Sequence, residues 1–168
     1  DIVVSGDRTL TVVSAYVHTG DAESPSRMAE KLAFLDAAAA RLAVLRASGN
    51  LVLLTGDLNV AHREVDIKNW KGNLTRAGFL PVERAWFDRL ADDQWVDVGR
   101  ALGGDGPGPY TWWSWRGTAF DTDAGWRIDY HIADATLAAT ASKAVVDRAP
   151  SYAERWSDHA PLVVRYAV

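Results

Sequence analysis

Cysteine is absent from all 168 residues, which excludes disulfides and thiolate-held zinc and leaves oxygen and imidazole as the only strong metal donors. That donor set suits a hard cation such as Mg²⁺ or Mn²⁺. Long apolar runs are missing too. None approaches the roughly 20 residues that a membrane-spanning helix needs, and Asp1-Ile2-Val3-Val4 lacks the basic and apolar pattern of a signal peptide. A cytoplasmic protein with no membrane association is expected. Positive charge is not in excess either, since the net charge is −4; any binding of nucleic acid would therefore need a local basic patch. What remains is the balance of one globular domain with a sizeable core, 48% hydrophobic and 24% charged. Tryptophan is abundant. Four of the eight, Trp112, Trp113, Trp115 and Trp126, fall between positions 112 and 126, a concentration that reads either as an aromatic core strand or as the wall of a site.

Leu10 to Val17 is a β-branched stretch that predicts a buried strand. Ser24-Pro25 starts a helix in which Met28, Leu32, Leu35, Ala39 and Leu42 recur at helical spacing, and Gly49-Asn50 stops it. The continuous apolar run Leu51 to Thr55 predicts a strand covered on both faces, and it ends in Gly56-Asp57-Leu58-Asn59. Residues 61 to 81 are polar, carry Arg63, Lys68, Lys71 and Arg76, and read as a long functional loop. A helix is expected over 82–92 and short strands near 95–98, 110–116, 127–133, 143–147 and 161–167. The class is α/β, with helices early and mostly antiparallel strands late.

Three polar clusters end predicted strands: Asp57 with Asn59, Asp129 in Arg127-Ile128-Asp129-Tyr130, and Asp158-His159 before Ala160-Pro161. Phosphodiester hydrolysis needs a group that aligns or deprotonates water, a cation that neutralises phosphate charge, and a donor to the non-bridging oxygen. These clusters offer all three. Two residues apart on a strand, Asp57 and Asn59 project to one face, although Asp-x-Asn after a strand also reads as a plain turn. A carboxylate such as Asp129 could hold the tautomer of His159 and keep it positively charged, and an imidazolium is a strong donor to phosphate. His18, His62 and His131 read as ordinary solvated or satisfied histidines.

These stretches, with Ala15-Tyr16-Val17, Asp66-Ile67-Lys68-Asn69, Lys71-Gly72-Asn73, Ala77-Gly78-Phe79-Leu80-Pro81, Pro109-Tyr110-Thr111-Trp112-Trp113 and Ser157-Asp158-His159-Ala160-Pro161, occur in an order that resembles the exonuclease III family of abasic-site endonucleases, part of the endonuclease, exonuclease and phosphatase superfamily. The resemblance implies a two-sheet αββα sandwich, with residues 1–168 forming the carboxyl-terminal part of a single domain. It implies a Mg²⁺- or Mn²⁺-dependent phosphodiesterase of base excision repair, monomeric when complete, that cuts abasic sites in double-stranded DNA and removes 3′ nucleotides. In that picture Asp57 activates water, Asn59 holds water and phosphate, Tyr16 and His159 contact phosphate, and Asp129 orients His159. Asp57, Asn59 and Asp158 lie at the metal. Trp112, Trp126 and Ile128 form the apolar wall for a base-less sugar, and Lys71, Asn73 and Arg76 touch DNA. Thr19 stands where the family often has asparagine.

The family's amino-terminal third, with its metal-binding glutamate, has no counterpart before Tyr16. The resemblance therefore implies that these 168 residues alone are inactive or nearly so. Two other readings share the motifs: a superfamily phosphoesterase acting on phospholipid or inositol phosphate, which has no need of Lys68 to Asn73, and a non-catalytic DNA-binding module.

Overall fold

The computed structural model describes residues 1–4 and 8–168. Its main sheet holds β1 (Ile2–Val3), β2 (Thr9–Tyr16), β3 (Leu51–Asp57), β5 (Asp129–Asp134) and β4 (Trp95–Asp97), in that spatial order. Helix α1 (Pro25–Ala47) is the crossover that makes β2 and β3 parallel, while β5 runs antiparallel to both β3 and β4. Helix α2 (Pro81–Asp92) precedes β4, and α3 (Val98–Gly103) follows it directly. After α4 (Ala135–Ala138), strands β6 (Ala141–Val146) and β7 (Leu162–Tyr166) pair antiparallel as a second, two-stranded sheet. The expected mixed α/β class and its two sheets are present. No helix among the described residues is long and apolar enough to cross a membrane.

The periodicity of α1 puts Met28, Leu35 and Leu42 on its buried face, and Leu35 and Leu42 pack with Trp86, Phe87 and Leu90 of α2 against one side of the sheet. Leu51 to Leu54 are buried, as a strand covered on both sides requires. The opposite side of the sheet contributes Leu10, Leu53 and Ala133 to a second core against Val164 and Tyr166 of β7. Apolar burial on both faces of β3 thus sets the layers.

Three expectations need correction. Residues 110–116 do not form a strand: Trp112 makes isolated bridges to both Trp126 and His159, so its neighbourhood is divided between two segments and no single ladder propagates. The segment 95–98 stops as a strand at Asp97, whose carboxylate accepts from the Arg100 amide and starts α3. The loop over 61–81 contains 3₁₀ turns at Glu64–Asp66 and Trp70–Asn73.

That loop is tied down by buried charge. Asp66 is wholly inaccessible and accepts from Arg127 Nε at 2.7 Å and from Arg100, while Arg127 also reaches Asp97 at 2.6 Å. Burial alone would push the Asp66 carboxyl up, but Arg127 and Arg100 outweigh it and hold the group below the usual carboxylate range. A carboxyl whose folded pKa is depressed adds stability above its unfolded pKa and loses it as pH falls through the folded value. Asp66→Asn is therefore expected to cost about 3–5 kcal/mol at pH 7, because buried Arg100 loses its carboxylate partner and buried Arg127 keeps only Asp97. Urea unfolding should also show the gap between the variant and the parent closing below about pH 4.

Candidate active site

The pairing register aligns Tyr16 with Asp57 and Asp57 with Asp129, so one residue from each of β2, β3 and β5 stands in a row at the end of the sheet. Beside this row opens a cleft of about 780 Å³. Tyr16, Asp57, Asn59, Asn73, Arg76, Trp112, Trp126, Ile128, Asp158 and His159 all line it. Of the DNA contacts expected from the sequence, Lys71 alone is not in the lining; its ammonium lies over the Trp70 ring.

Asn59 reaches Asp57 by a route other than a shared strand face. Strand β3 ends at Asp57, and Asn59 takes a left-handed backbone conformation with φ of 51°, one that asparagine tolerates better than most residues. The turn lets the Asn59 amide donate to Asp57 Oδ1 and its side-chain Nδ2 donate to Asp57 Oδ2, each at 2.8 Å. Nδ2 also donates to the Val17 carbonyl, and Thr19 Oγ1 donates to Asn59 Oδ1 at 3.2 Å. Thr19, at the position where the family often has asparagine, thus braces Asn59.

His159 is held by Asp129. Its Nδ1 is 2.9 Å from Asp129 Oδ2, which assigns the proton to Nδ1, and Nε2 lies 3.9 Å from Asp57 Oδ2. Asp129 is itself fixed, because Thr111 Oγ1 accepts from the amides of both Ile128 and Asp129 at 3.1 Å. The hydrogen bond to Asp129 raises the His159 pKa above that of a free imidazole, against the opposing pull of burial. Burial drives the Asp57 carboxyl up to about 6; the Asn59 amide opposes this, Asp129 adds to it, and His159 and Lys31 pull it back.

Asp158 projects from the segment before β7, and its Oδ2 accepts from Trp112 Nε1 at 3.0 Å. Trp112 and Trp126 meet edge to face with ring centroids 6.2 Å apart. Both rings pack against the cluster of Ala61, Ile67, Phe79 and Ile128, so wall and core are the same aromatic group. Two of the remaining histidines are satisfied: His62 pairs with Asp88 at 2.8 Å, and His131 meets the Tyr166 hydroxyl at 3.2 Å. His18 accepts from the Gly20 amide through Nδ1.

The donors present fit a hard divalent cation in chemistry: Asp57 and Asp158 offer carboxylate oxygens to one cleft, and the raised Asp57 pKa marks a negative charge short of compensation. Among the described residues, no three His, Asp or Glu side chains form a group able to hold a metal.

Sequence reasoning missed Lys31, Glu83, Thr111 and Arg127. A signal existed for the first. Lys31 falls on the same helical stripe as Met28, Leu35 and Leu42, where a cation is out of place unless buried with a partner.

Residues 2–159 match the family described as Endonuclease/Exonuclease/phosphatase. An exodeoxyribonuclease of Bacillus subtilis is 42% identical over 111 residues, covering 66% of this chain and 42% of the relative. DNA repair nuclease APEX1 of Danio rerio is 38% identical over 117 residues, 70% of this chain and 36% of the relative. The chain thus spans about two fifths of the length of these curated relatives. Among solved structures, a 3′-5′ exonuclease (NExo) from Neisseria meningitidis superposes with a TM-score of 0.86 at 28% identity, over 98% of this chain and 62% of the other. A structure of the 3′ phosphatase NExo from Neisseria bound to product DNA hairpin gives 0.83 at 28% identity, over 94% and 61%.

The raised Asp57 pKa sets a pH dependence of stability. A carboxyl whose folded pKa is raised keeps its favourable contribution below its unfolded pKa and loses it as pH rises through the folded value. Asp57→Asn is therefore expected to melt higher than the parent at pH 8 in the presence of a chelator, by roughly 1–3 kcal/mol in stability. The advantage should vanish below about pH 4, and equal melting at both pH values would mean that Asp57 ionises freely.

Proposed function

The chain belongs to the endonuclease/exonuclease/phosphatase family, within its exonuclease III and AP endonuclease branch, and we propose that the protein hydrolyses phosphodiester bonds of double-stranded DNA in base excision repair. The observation that carries this reading is the convergence of Asp57, Asn59, Asp158 and His159 on one cleft walled by Trp112, Trp126 and Ile128, with Asp129 behind it holding His159. Incision at abasic sites, removal of 3′ nucleotides and removal of 3′ phosphate all draw on this one set of groups.

Asp57 acts as the proton acceptor for the attacking water. Its pKa of about 6 suits a base working near neutral pH, and Asn59 fixes both carboxylate oxygens. His159, whose charged form the Asp129 contact favours, presents Nε2 to a non-bridging phosphate oxygen. Tyr16, 68% exposed at the cleft, adds its hydroxyl as a second donor. Asp57, Asn59 and Asp158 would hold Mg²⁺ or Mn²⁺, which when bound supplies positive charge against the phosphate and the departing oxygen. Trp112, Trp126 and Ile128 receive a sugar that has lost its base, the nucleotide whose extrusion from the duplex is cheapest. Asn73 and the exposed Arg76 lie at the cleft margin, where the DNA backbone passes.

The relatives are longer than the part of them that this chain matches. Their similarity lends no support to the expectation that the chain alone is inactive. With duplex DNA carrying one abasic site, chelator-sensitive cutting is expected, and Asp57→Asn should lower turnover about a hundredfold or more while DNA affinity stays near that of the parent. Hydrolysis of an inositol phosphate in place of DNA would overturn the reading.

Trp112→Ala and Trp126→Ala should reduce abasic-site incision more than release of nucleotides from an ordinary 3′ end, since the aromatic wall selects and does not react. Equal losses on both substrates in folded variants would reduce these rings to packing.

A further inference from the structure

Part of the cleft wall comes from three loops that share no strand: residues 17–20 after β2, residues 58–61 after β3, and residues 77–80 before α2. One ammonium touches all three, directly or through its partner. Lys31, on the buried stripe of α1, uses its three protons on the Thr19 carbonyl at 2.9 Å, the Asn59 carbonyl at 2.8 Å and Glu83 Oε1. Glu83, in the first turn of α2, accepts in addition from the Gly78 amide at 2.8 Å and the Leu80 amide at 2.9 Å. Neither side chain has any accessible surface. We infer that Lys31, through Glu83, is the positioning residue of the cleft: it holds the Asn59 turn and the two loops flanking it in the arrangement that presents Asp57 and Asn59.

The neighbouring residues are cut to fit this clamp. Gly78 has φ of +92°, and a Cβ there would stand 3.1 Å from both the Asn59 carbonyl oxygen and the Trp126 ring. Gly20 has φ of +79°, and a Cβ there would meet Met28 Sδ at 2.7 Å and Lys31 Cδ at 3.2 Å. Glycine at both positions lets the loops close on Lys31 and Asn59. The Asn59 carbonyl that Lys31 holds belongs to the residue in the left-handed conformation, so the ammonium acts on the strained turn itself.

A buried ion pair is a costly way to join two helices, because an apolar pair of similar volume generally does that as well or better. Apolar side chains cannot take up two loop carbonyls. The retention of charge at this spot is explained by the loops and not by the contact between α1 and α2.

This inference rests on the reading of the cleft as the reacting site, but its test does not depend on activity. Lys31→Met alone leaves Glu83 buried and charged with no counter-ion and loses stability. The double variant Lys31→Met/Glu83→Gln removes both charges, keeps an oxygen for the Gly78 and Leu80 amides, and should melt close to the parent. If Lys31 positions the loops, the double variant still lacks the bonds to Thr19 and Asn59. Hydrogen exchange at the Asn59 and Ala61 amides should then be at least tenfold faster than in the parent, while the amides of Leu35 and Leu42 in α1 are unchanged.

If the protein cleaves DNA, kcat of the double variant should fall tenfold or more with KM little altered. A folded double variant with parental exchange at Asn59 and Ala61 would overturn the inference and leave the pair as helix glue. Should the double variant not fold, the unmodified chain decides: a slowly exchanging Lys31 ammonium resonance with coupling to the Asn59 carbonyl carbon supports the clamp, and a freely exchanging one overturns it. Slow exchange with no nuclease activity in the parent would sink the proposed function and leave the clamp standing.

Discussion

The cleft depends on the double pairing of β3. With β2 on one side and β5 on the other, the register that sets Leu53 opposite Val12 and Ala133 also sets Asp57 opposite Tyr16 and Asp129. Side chains alternate along a strand, so a slip of one residue would send Leu53 and Leu54 each to the other face and part Asp57 from Tyr16 and Asp129. The apolar cores on both faces of the sheet forbid that slip. The same burial that stabilises the domain thereby aligns the polar row, and the row lies at the strand ends because the charged groups cannot follow the apolar run inward.

Beyond the strand ends, apolar burial no longer dictates conformation, and two buried charge systems take over. Asp66 with Arg127 and Arg100 fastens the loop of residues 61–81 beneath β5, while Lys31 with Glu83 gathers the turns around Asn59 and Gly78. Both systems are almost fully satisfied by hydrogen bonds, which is the condition under which buried charge is tolerated. Loops fixed in this way hold Asn59 without regular secondary structure, beside Asp57 and Asp129 at the strand ends. The Asp129–His159 contact and the Thr111 hydroxyl beneath Asp129 extend the same logic to the far wall.

Strands β2 and β3 and helices α1 and α2 were legible because each carries a local pattern: a β-branched or continuous apolar run, a helical stripe, a proline at the first helical position. Helix α3 was not legible, since its six residues are too few to carry a period and its start rests on one aspartate cap. The stretch around Trp112 has strand-like residues yet no strand, because its backbone bonds go to two separate segments. The acidic and histidine groups of the cleft were legible as motifs, but the reason given for Asp57 with Asn59, a shared strand face, was not the one the fold uses.

By itself the sequence determined the class, the order of the principal elements and the short polar motifs, because these depend on residue type and on neighbours a few positions away. Only the tertiary structure decided that Asp129 meets His159 across thirty positions, that Trp112 serves Asp158, and that Lys31 spends its charge on Asn59, twenty-eight positions onward. The physical reason is that a hydrogen bond or ion pair is made by whichever groups packing brings within about 3 Å, and packing is a property of the whole set of buried surfaces. Lys31 can lie in an apolar stripe because the fold supplies two carbonyls and a carboxylate around it.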